Sequence, residues 1–437
     1  MMETRLPDAA STSRETAYLV HPVSKRSGSG ARSRDAFDEA RALVRALPAL
    51  ELSGAETAPV DRPDPAVYFG RGKLAEIAER LSDCAARIVV VNASLSPVQQ
   101  RNLEKDWNVK VLDRTGLILE IFGDRARTRE GVLQVELAHL SYQRSRLVRS
   151  WTHLERQRGG LGFVGGPGET QIEADRRALD TQIVRLRRQL QDVARTRALH
   201  RAGRHKAGYA TVSLIGYTNA GKSTLFNRLT GETVLARDML FATLDPTQRR
   251  IELDGGTPVI LSDTVGFISN LPTQLISAFR ATLEEVRAAD VLVHVRDISH
   301  PETDAQATSV AEVLDELDLP APLLDGMIEF RNKTDLLPEP IGMNGGNDER
   351  SVAGSAVTGA GIARLLEMVT QAISGQKLRE VVHLDFDQGA ALAWAHRNGC
   401  IEQRKDGPDG IDLSMFWSHS QRRQFHRRFP LPSQDDM

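Results

Sequence analysis

The chain has 437 residues, 41% of them hydrophobic and 26% charged, with a formal net charge of −2. That length calls for two to four domains, and the composition excludes a disordered, collagenous or disulfide-stapled chain. No apolar run approaches the roughly 18–20 residues that a bilayer demands. The first residues lack the apolar core of a secretion signal, and the two cysteines, Cys84 and Cys400, cannot alone build a zinc site or a disulfide framework. A cytoplasmic monomer without a membrane span is expected, a membrane-associated fraction being allowed.

Residues 1–35 are polar and close on "KRSGSGARSR", which reads as a flexible tail interrupted by the apolar "AYLV". From 36 to 124, helical patterns alternate with short apolar runs. "AFDEARALVRAL" reads as helix, "RIVVV" as a buried strand, "SPVQQRNLEKDW" as a helix capped by Ser96, and "VKVLD" as a strand. This alternation predicts a small parallel α/β subdomain.

Residues 125–206 hold 18 Lys and Arg against 8 Asp and Glu, a net +10, so the remainder carries −12. A basic segment on an acidic protein points to nucleic acid through phosphate neutralisation, against the plainer reading of a solvated helical face. Leu133, Leu137, Leu140, Arg144, Leu147, Trp151 and Leu154 follow a 4,3 spacing, and so do Ile172, Arg176, Leu179, Ile183, Leu186, Leu190 and Val193. Two heptad seams predict an antiparallel helical hairpin with arms of roughly 40 Å at about 1.5 Å per residue. Between them lies "GGLGFVGGPGE" (159–169), which follows polar "HLERQR" and lacks a Lys-Ser/Thr. It is therefore no phosphate loop. It reads as a plain turn or as a tip that touches RNA.

The phosphate loop lies further on. "TVSLIGYTNAGKSTLFNRL" supplies a buried strand, then Gly216-Tyr217-Thr218-Asn219-Ala220-Gly221-Lys222-Ser223, then a helix. Its N–H groups would wrap phosphates, Lys222 would reach the β- and γ-phosphates, and Ser223 would ligate Mg²⁺. In "FATLDPT", spanning Phe241, Ala242, Thr243, Leu244 and Asp245, Thr243 is placed to close over Mg²⁺ and the γ-phosphate. "VILSDTVGF" runs a strand into Asp263-Thr264-Val265-Gly266, with Asp263 holding Mg²⁺ through water and the Gly266 N–H sensing the γ-phosphate. Lys222, Thr243 and Gly266 are the catalytic candidates; Ser223, Thr243 and Asp263 are the metal candidates.

"NKTD" (Asn332, Lys333, Thr334, Asp335) selects the base. A carboxylate at Asp335 accepts from guanine N1–H and N2–H₂, a donor pair that adenine lacks. Lys333 lays its stem along the base. In "GSAVTG", backbone N–H groups around Ser355, Ala356 and Val357 are expected at the guanine O6. The ordered set predicts a GTPase binding GTP and GDP. After Gly266 stands Phe267, where many GTPases place a water-orienting glutamine. Slow intrinsic turnover accelerated by a partner is expected, the plainer reading being that Phe267 only packs. Asn219 is a candidate K⁺ ligand or a simple loop tie.

With "YFGRGKLAEI", "VLDRTGLILEIFGDRARTREGVLQVELAHLSY", "GGPGETQIEADRR", "GYTNAGKSTLFNRLTG", "FATLDPT", "DTVGFISNLP" and "HVRDISHP", residues 66–375 closely resemble the HflX family of ribosome-associated GTPases, within the Obg–HflX group. The resemblance implies an α/β fold: a P-loop GTPase domain preceded by a small α/β subdomain with a long antiparallel helical hairpin, plus a small C-terminal α+β domain. The expected units are 1–35 (tail), 36–124, 125–206, 207–376 and 377–437. It also implies a glycine tip directed at the catalytic centre of the large ribosomal subunit and its RNA, and a role in splitting or rescuing stalled ribosomes under heat stress. Three features depart from the family: Arg296 in an apolar strand, "GMIEFRNKTD" in place of the usual compact lead into the base-reading motif, and the inserted "EPIGMNGGND". The basic "SQRRQFHRRF" near the end reads equally as a second RNA contact or a solvated amphipathic helix. A second class stays open, a nucleotide switch whose hairpin is a coiled-coil adaptor for a protein partner without RNA.

Overall fold

Four short apolar runs build the first sheet: β1 (Glu15–Val23), β2 (Leu50–Pro59), β3 (Ile88–Val91) and β4 (Lys110–Asp113), all parallel in the order β2-β1-β3-β4. In the computed structural model the described residues are 14–24, 30–157, 167–206, 209–231, 240–241, 243–244, 246–253, 257–269, 280–317, 319–338, 350–375 and 377–429. Successive strand residues point to opposite faces. Ala17, Leu19, Ile88 and Val90 pack on α1 (Gly30–Ala46) and α4 (Arg114–Arg125). Tyr18, Val20, Val89 and Val91 pack on α2 (Arg71–Asp83) and α3 (Pro97–Trp107). Ser96 caps α3 with a full capping box, its hydroxyl accepting from Gln99 N.

This sheet corrects the expected tail. Residues 15–23, assigned to a flexible segment through 35, form β1, an interior strand buried over Ala17–His21. The apolar "AYLV" is its centre. A parallel strand buried on both faces reads as a continuous apolar run, and one this short is easily lost among polar neighbours.

The two heptad seams form α5 (Arg129–Gln157) and α6 (Pro167–Lys206). Leu133, Ile183 and Leu186 are buried between the arms. Arg144 Nε meets Asp180 at 2.7 Å, and both lie equally far in sequence from residue 162, which makes the pair antiparallel. Arg176 reaches the same carboxylate at 4.0 Å. The two arginines that interrupt the seams thus share one counter-charge. Residues 158–166, the greater part of the glycine run, lie outside the described residues.

The central sheet joins β5 (Ala210–Ile215), β6 (Thr247–Leu253), β7 (Thr257–Asp263), β8 (Val291–Asp297), β9 (Ile328–Asn332) and β10 (Ser351–Ala353). Their order is β10-β9-β8-β5-β7-β6, parallel except for the antiparallel edge strand β6. Arg296 does not disturb β8: its guanidinium pairs with Asp304 at 2.5 Å and Glu329 at 3.0 Å, and the register to β9 runs unbroken. The insertion at 339–348 lies outside the described residues.

A third sheet, β11 (Lys377–Leu384), β12 (Ile401–Asp406) and β13 (Ile411–Ser418), is antiparallel in the order β11-β13-β12. The basic segment forms helix His419–Arg428, which buries Phe425 against Trp417 at 5.2 Å between ring centroids. Arg422 is bound to Glu380 at 2.6 Å. That helix closes the domain core.

Candidate nucleotide site

In an open parallel sheet, ligands bind beyond the carboxyl ends of the strands. β5, β7, β8 and β9 end side by side; the loops leaving β5, β7 and β9 carry Gly216–Ser223, Asp263–Gly266 and Asn332–Asp335, while Ser355–Val357 follow β10 and Thr243 precedes β6. Between β5 and α7 (Lys222–Thr230), the loop needs glycine twice. At Gly216 (φ +148°) a Cβ would sit 2.2 Å from Val295 O; at Gly221 (φ +95°) it would sit 2.2 Å from Asn332 Nδ2. Asn219 occupies the left-handed region at φ 61°, which asparagine tolerates better than most side chains.

Lys222 is buried at the start of α7, its ammonium donating to Gly216 O (3.1 Å) and Tyr217 O (2.8 Å). Burial pushes it down to about 8, opposed by the Asp263 carboxylate. A phosphate arriving here would supply the missing negative charge. Gly266 borders the same ammonium: a Cβ there would lie 3.0 Å from Lys222 Nζ and 2.9 Å from Thr218 Cα.

The three metal candidates come together. Ser223 Oγ donates to Asp263 Oδ2 at 2.7 Å, Thr243 Oγ1 to the same oxygen at 3.0 Å, and the two hydroxyls are 2.8 Å apart. Asp263 is fully buried, burial raises its pKa, and its Oδ1 has no partner. Oxygen donors alone with an orphaned carboxylate oxygen suit a hard divalent cation such as Mg²⁺.

At the base end, Asn332 binds two loops. Its amide donates to Ala220 O (2.8 Å) and its oxygen accepts from Ala356 N (2.9 Å). Lys333, left-handed at φ 68°, reaches Asp297 Oδ2 at 2.6 Å. Asp335 is exposed on the short helical turn Thr334–Leu336. The N–H groups of Ser355, Ala356 and Val357 are engaged by Ala360 O, Asn332 Oδ1 and Ser355 Oγ respectively, because the loop closes on its own polar groups. A contact to O6 from this loop would have to share one of those bonds.

Several residues of the motifs turn their side chains away from the pocket. Thr264 Oγ1 donates to Leu214 O at 2.6 Å, while Phe241, Leu244 and Val265 enter the apolar core. Ala242 and Asp245 lie outside the described residues. Phe267, 1% exposed, packs in that core, and its backbone pairs with the phosphate loop through Phe267 N–Gly216 O (3.1 Å) and Thr218 N–Phe267 O (2.7 Å). Its ring is remote from water chemistry.

The sequence did not reveal a polar knot beside this turn. The Tyr217 hydroxyl donates to Glu39, lies 2.7 Å from Ser269 Oγ and accepts from Ser269 N at 2.8 Å. Arg114 holds Glu39 Oε1 (2.7 Å) and Ser269 O (2.9 Å). Asp297 was legible as the last residue of an apolar strand; Glu39 and Arg114 lie far from any motif.

Four family models match. "GTP-binding GTPase N-terminal" covers residues 34–123, "GTP-binding GTPase Middle Region" 125–204, "50S ribosome-binding GTPase" 211–325, and "HflX C-terminal domain" 341–436. The GTPase HflX of Magnetococcus marinus is 50% identical over 370 residues, covering 83% of this chain and 84% of that one. The GTPase HflX of Escherichia coli is 46% identical over 362 residues, 81% of this chain and 83% of that one. Lacrimispora saccharolytica contributes a GTPase HflX 38% identical over 403 residues, 92% and 94% of the two chains. With its phosphate loop, cation oxygens and base-reading loops gathered at one sheet edge, this chain belongs to the HflX family of GTPases.

Proposed function

We propose that this GTPase binds the large ribosomal subunit in its GTP state and splits or rescues stalled ribosomes, with the glycine run carried to ribosomal RNA by the hairpin. One observation carries the reading. Among the described seam residues, Leu133, Ile183 and Leu186 are buried, while Arg177, Arg185, Arg187 and Arg188 stand exposed along α6. A coiled-coil adaptor would need apolar surface to spare; an outward-facing basic surface suits phosphate. The description "50S ribosome-binding GTPase" on the model matching residues 211–325 supports the same partner. The working units are the sheet domain from residue 15 to 124, the hairpin 125–206, the GTPase domain 207–376 and the small domain 377–437.

Within the nucleotide site, Lys222, Thr243 and the Gly266 N–H act on the γ-phosphate, and Ser223, Thr243 and Asp263 hold Mg²⁺. An Mg²⁺ held by these oxygens would neutralise the negative charge that develops in phosphoryl transfer. Asp335 selects guanine. Since Phe267 orients no water, Asn219 is assigned to K⁺, and hydrolysis in K⁺ should exceed that in Na⁺ at equal ionic strength. Equal rates, free and ribosome-bound, would leave activation to the ribosome alone.

Sucrose-gradient profiles test the function. Full-length protein with a non-hydrolysable GTP analogue should convert 70S ribosomes into subunits, and with GDP should not. Intact 70S peaks in both nucleotides, with the protein absent from ribosomal fractions, would overturn the proposal.

A further inference from the structure

The N-terminal sheet has the feature that open α/β sheets use to bind ligands. Its order β2-β1-β3-β4 reverses between β1 and β3, and the crevice beyond the carboxyl ends of those strands is the expected ligand position. His21 ends up there from β1, Asn92 follows β3, and Arg114 follows β4. Asn92 bridges them, its amide 2.8 Å from His21 Nδ1 and its oxygen accepting from Arg114 Nη1 at 2.7 Å. Burial and the Arg114 charge depress the His21 pKa, so the imidazole stays neutral beside the guanidinium.

Among the described residues, the GTPase domain reaches this crevice through Ser269 and Tyr217. Arg114, itself buried, donates to the backbone carbonyl of Ser269, three residues beyond Gly266, and to Glu39 of α1. Glu39 accepts from the hydroxyl of Tyr217 in the phosphate loop, and that hydroxyl accepts from the Ser269 N–H. Thr243's loop is held too. Phe241 packs edge-on against Phe122 of α4, with centroids 4.6 Å apart at 80°. The phosphate loop through Tyr217, the loop carrying Thr243 through Phe241, and the segment after Gly266 through Ser269 therefore all touch the N-terminal domain.

In this arrangement Thr243 Oγ1 lies 3.0 Å from Asp263 Oδ2, and Gly266 stands beside the Lys222 ammonium. We infer that the N-terminal domain binds the residue 266–269 turn as the ligand of its own sheet crevice, making Glu39 and Arg114 positioning residues that favour GTP over GDP. The inference rests on the nucleotide-site assignment above. By linkage, the preference runs both ways: GTP must tighten the hold of the crevice on Ser269 by the same factor. Loss of the γ-phosphate then loosens the N-terminal domain, and with it the hairpin that grows from α4.

Equilibrium binding of GDP and of a non-hydrolysable GTP analogue to full-length variants tests this. Arg114→Ala and Glu39→Ala should lower the preference for the GTP analogue at least tenfold, while GDP affinity stays within twofold of the unaltered chain. Glu39→Gln keeps an oxygen for Tyr217 and should retain most of the preference. Amide exchange in the unaltered chain covers the case of a variant that fails to fold. The Ser269 N–H, bonded to the Tyr217 hydroxyl, should exchange at least tenfold more slowly with the GTP analogue than with GDP. Unchanged preference in folded variants, or equal Ser269 exchange in the two states, would overturn the inference alone. Failure of the unaltered chain to bind GDP would overturn the nucleotide-site assignment as well.

Discussion

Asp335 stands exposed at the base end of the site, on a turn whose preceding residue, Lys333, is held in the left-handed region by its bond to Asp297. Exposure lets its carboxylate meet two guanine donors without a prior desolvation cost. Asp335→Asn presents an amide that donates to a C2 oxygen, so preference should move from GTP to xanthosine triphosphate; competition binding with the two nucleotides reads this, and unchanged GTP affinity would refute the base assignment. His294, in the middle of β8, gives a second residue-scale expectation. Burial, with Arg296 and Lys222 adding to it and Glu329 opposing, pushes its pKa down to about 4. The unfolded chain takes up that proton near pH 6.5 and the folded chain does not, so stability falls as pH drops from about 6.5 to about 4, by about 1.4 kcal/mol per unit for one proton. His294→Leu should remove one proton's worth of that slope in urea titrations across the range. At this scale the sequence was informative wherever chemistry constrains spacing. The motifs assign Gly216, Lys222, Ser223 and Asp263 to one site, and the structure brings them together: Lys222 donates to Gly216 O and Ser223 to Asp263. Glu39 and Arg114 were invisible, since a contact between a helix and a loop 155 to 230 residues away leaves no local pattern.

The hairpin separates two kinds of seam residue. Asp180 shares its charge between Arg144 and Arg176, and all three side chains are about half exposed, so Asp180→Ala should cost under about 1 kcal/mol. Ile183 is 3% exposed, and Ile183→Ala should cost about 2–5 kcal/mol through lost burial and a cavity. Protection of α5 and α6 amides against exchange measures both; equal losses would mean that the seam does not carry the pairing. Removing residues 160–166 leaves both arms and every nucleotide motif in place. Free GTP hydrolysis should stay within twofold of the full chain while ribosome splitting is lost, and normal splitting by this deletion would reduce the glycine run to a linker. The 3.5-residue period made these helices plain from sequence. Strands were harder: β2 reads "LELSGAETAP", with too few apolar residues for an edge strand to stand out, and β12 reads "IEQRKD", exposed over nearly its whole length. Both exist because a neighbouring strand supplies their hydrogen bonds, which composition does not record.

Across the whole molecule, one apolar core runs from Leu19 and Leu43 of the N-terminal domain through Phe122 to Phe241, Phe267 and Leu292 of the GTPase domain. Phe267 belongs to that shared core, which explains why a phenylalanine follows the glycine of the Asp263–Gly266 turn: it anchors the turn to the neighbouring domain. A continuous core packs the two domains against each other, which is the contact through which the inferred link between nucleotide and hairpin would act. Among the described residues no helix is long and apolar enough to cross a membrane. The basic hairpin, carrying +10 on a chain of net −2, is the surface through which that unit would meet ribosomal RNA. Co-sedimentation with isolated large ribosomal subunits tests this most directly. The full chain should pellet with them in a non-hydrolysable GTP analogue at least tenfold more tightly than in GDP, with binding weakening steeply as salt rises. Equal or absent binding in the two nucleotides would contradict the account.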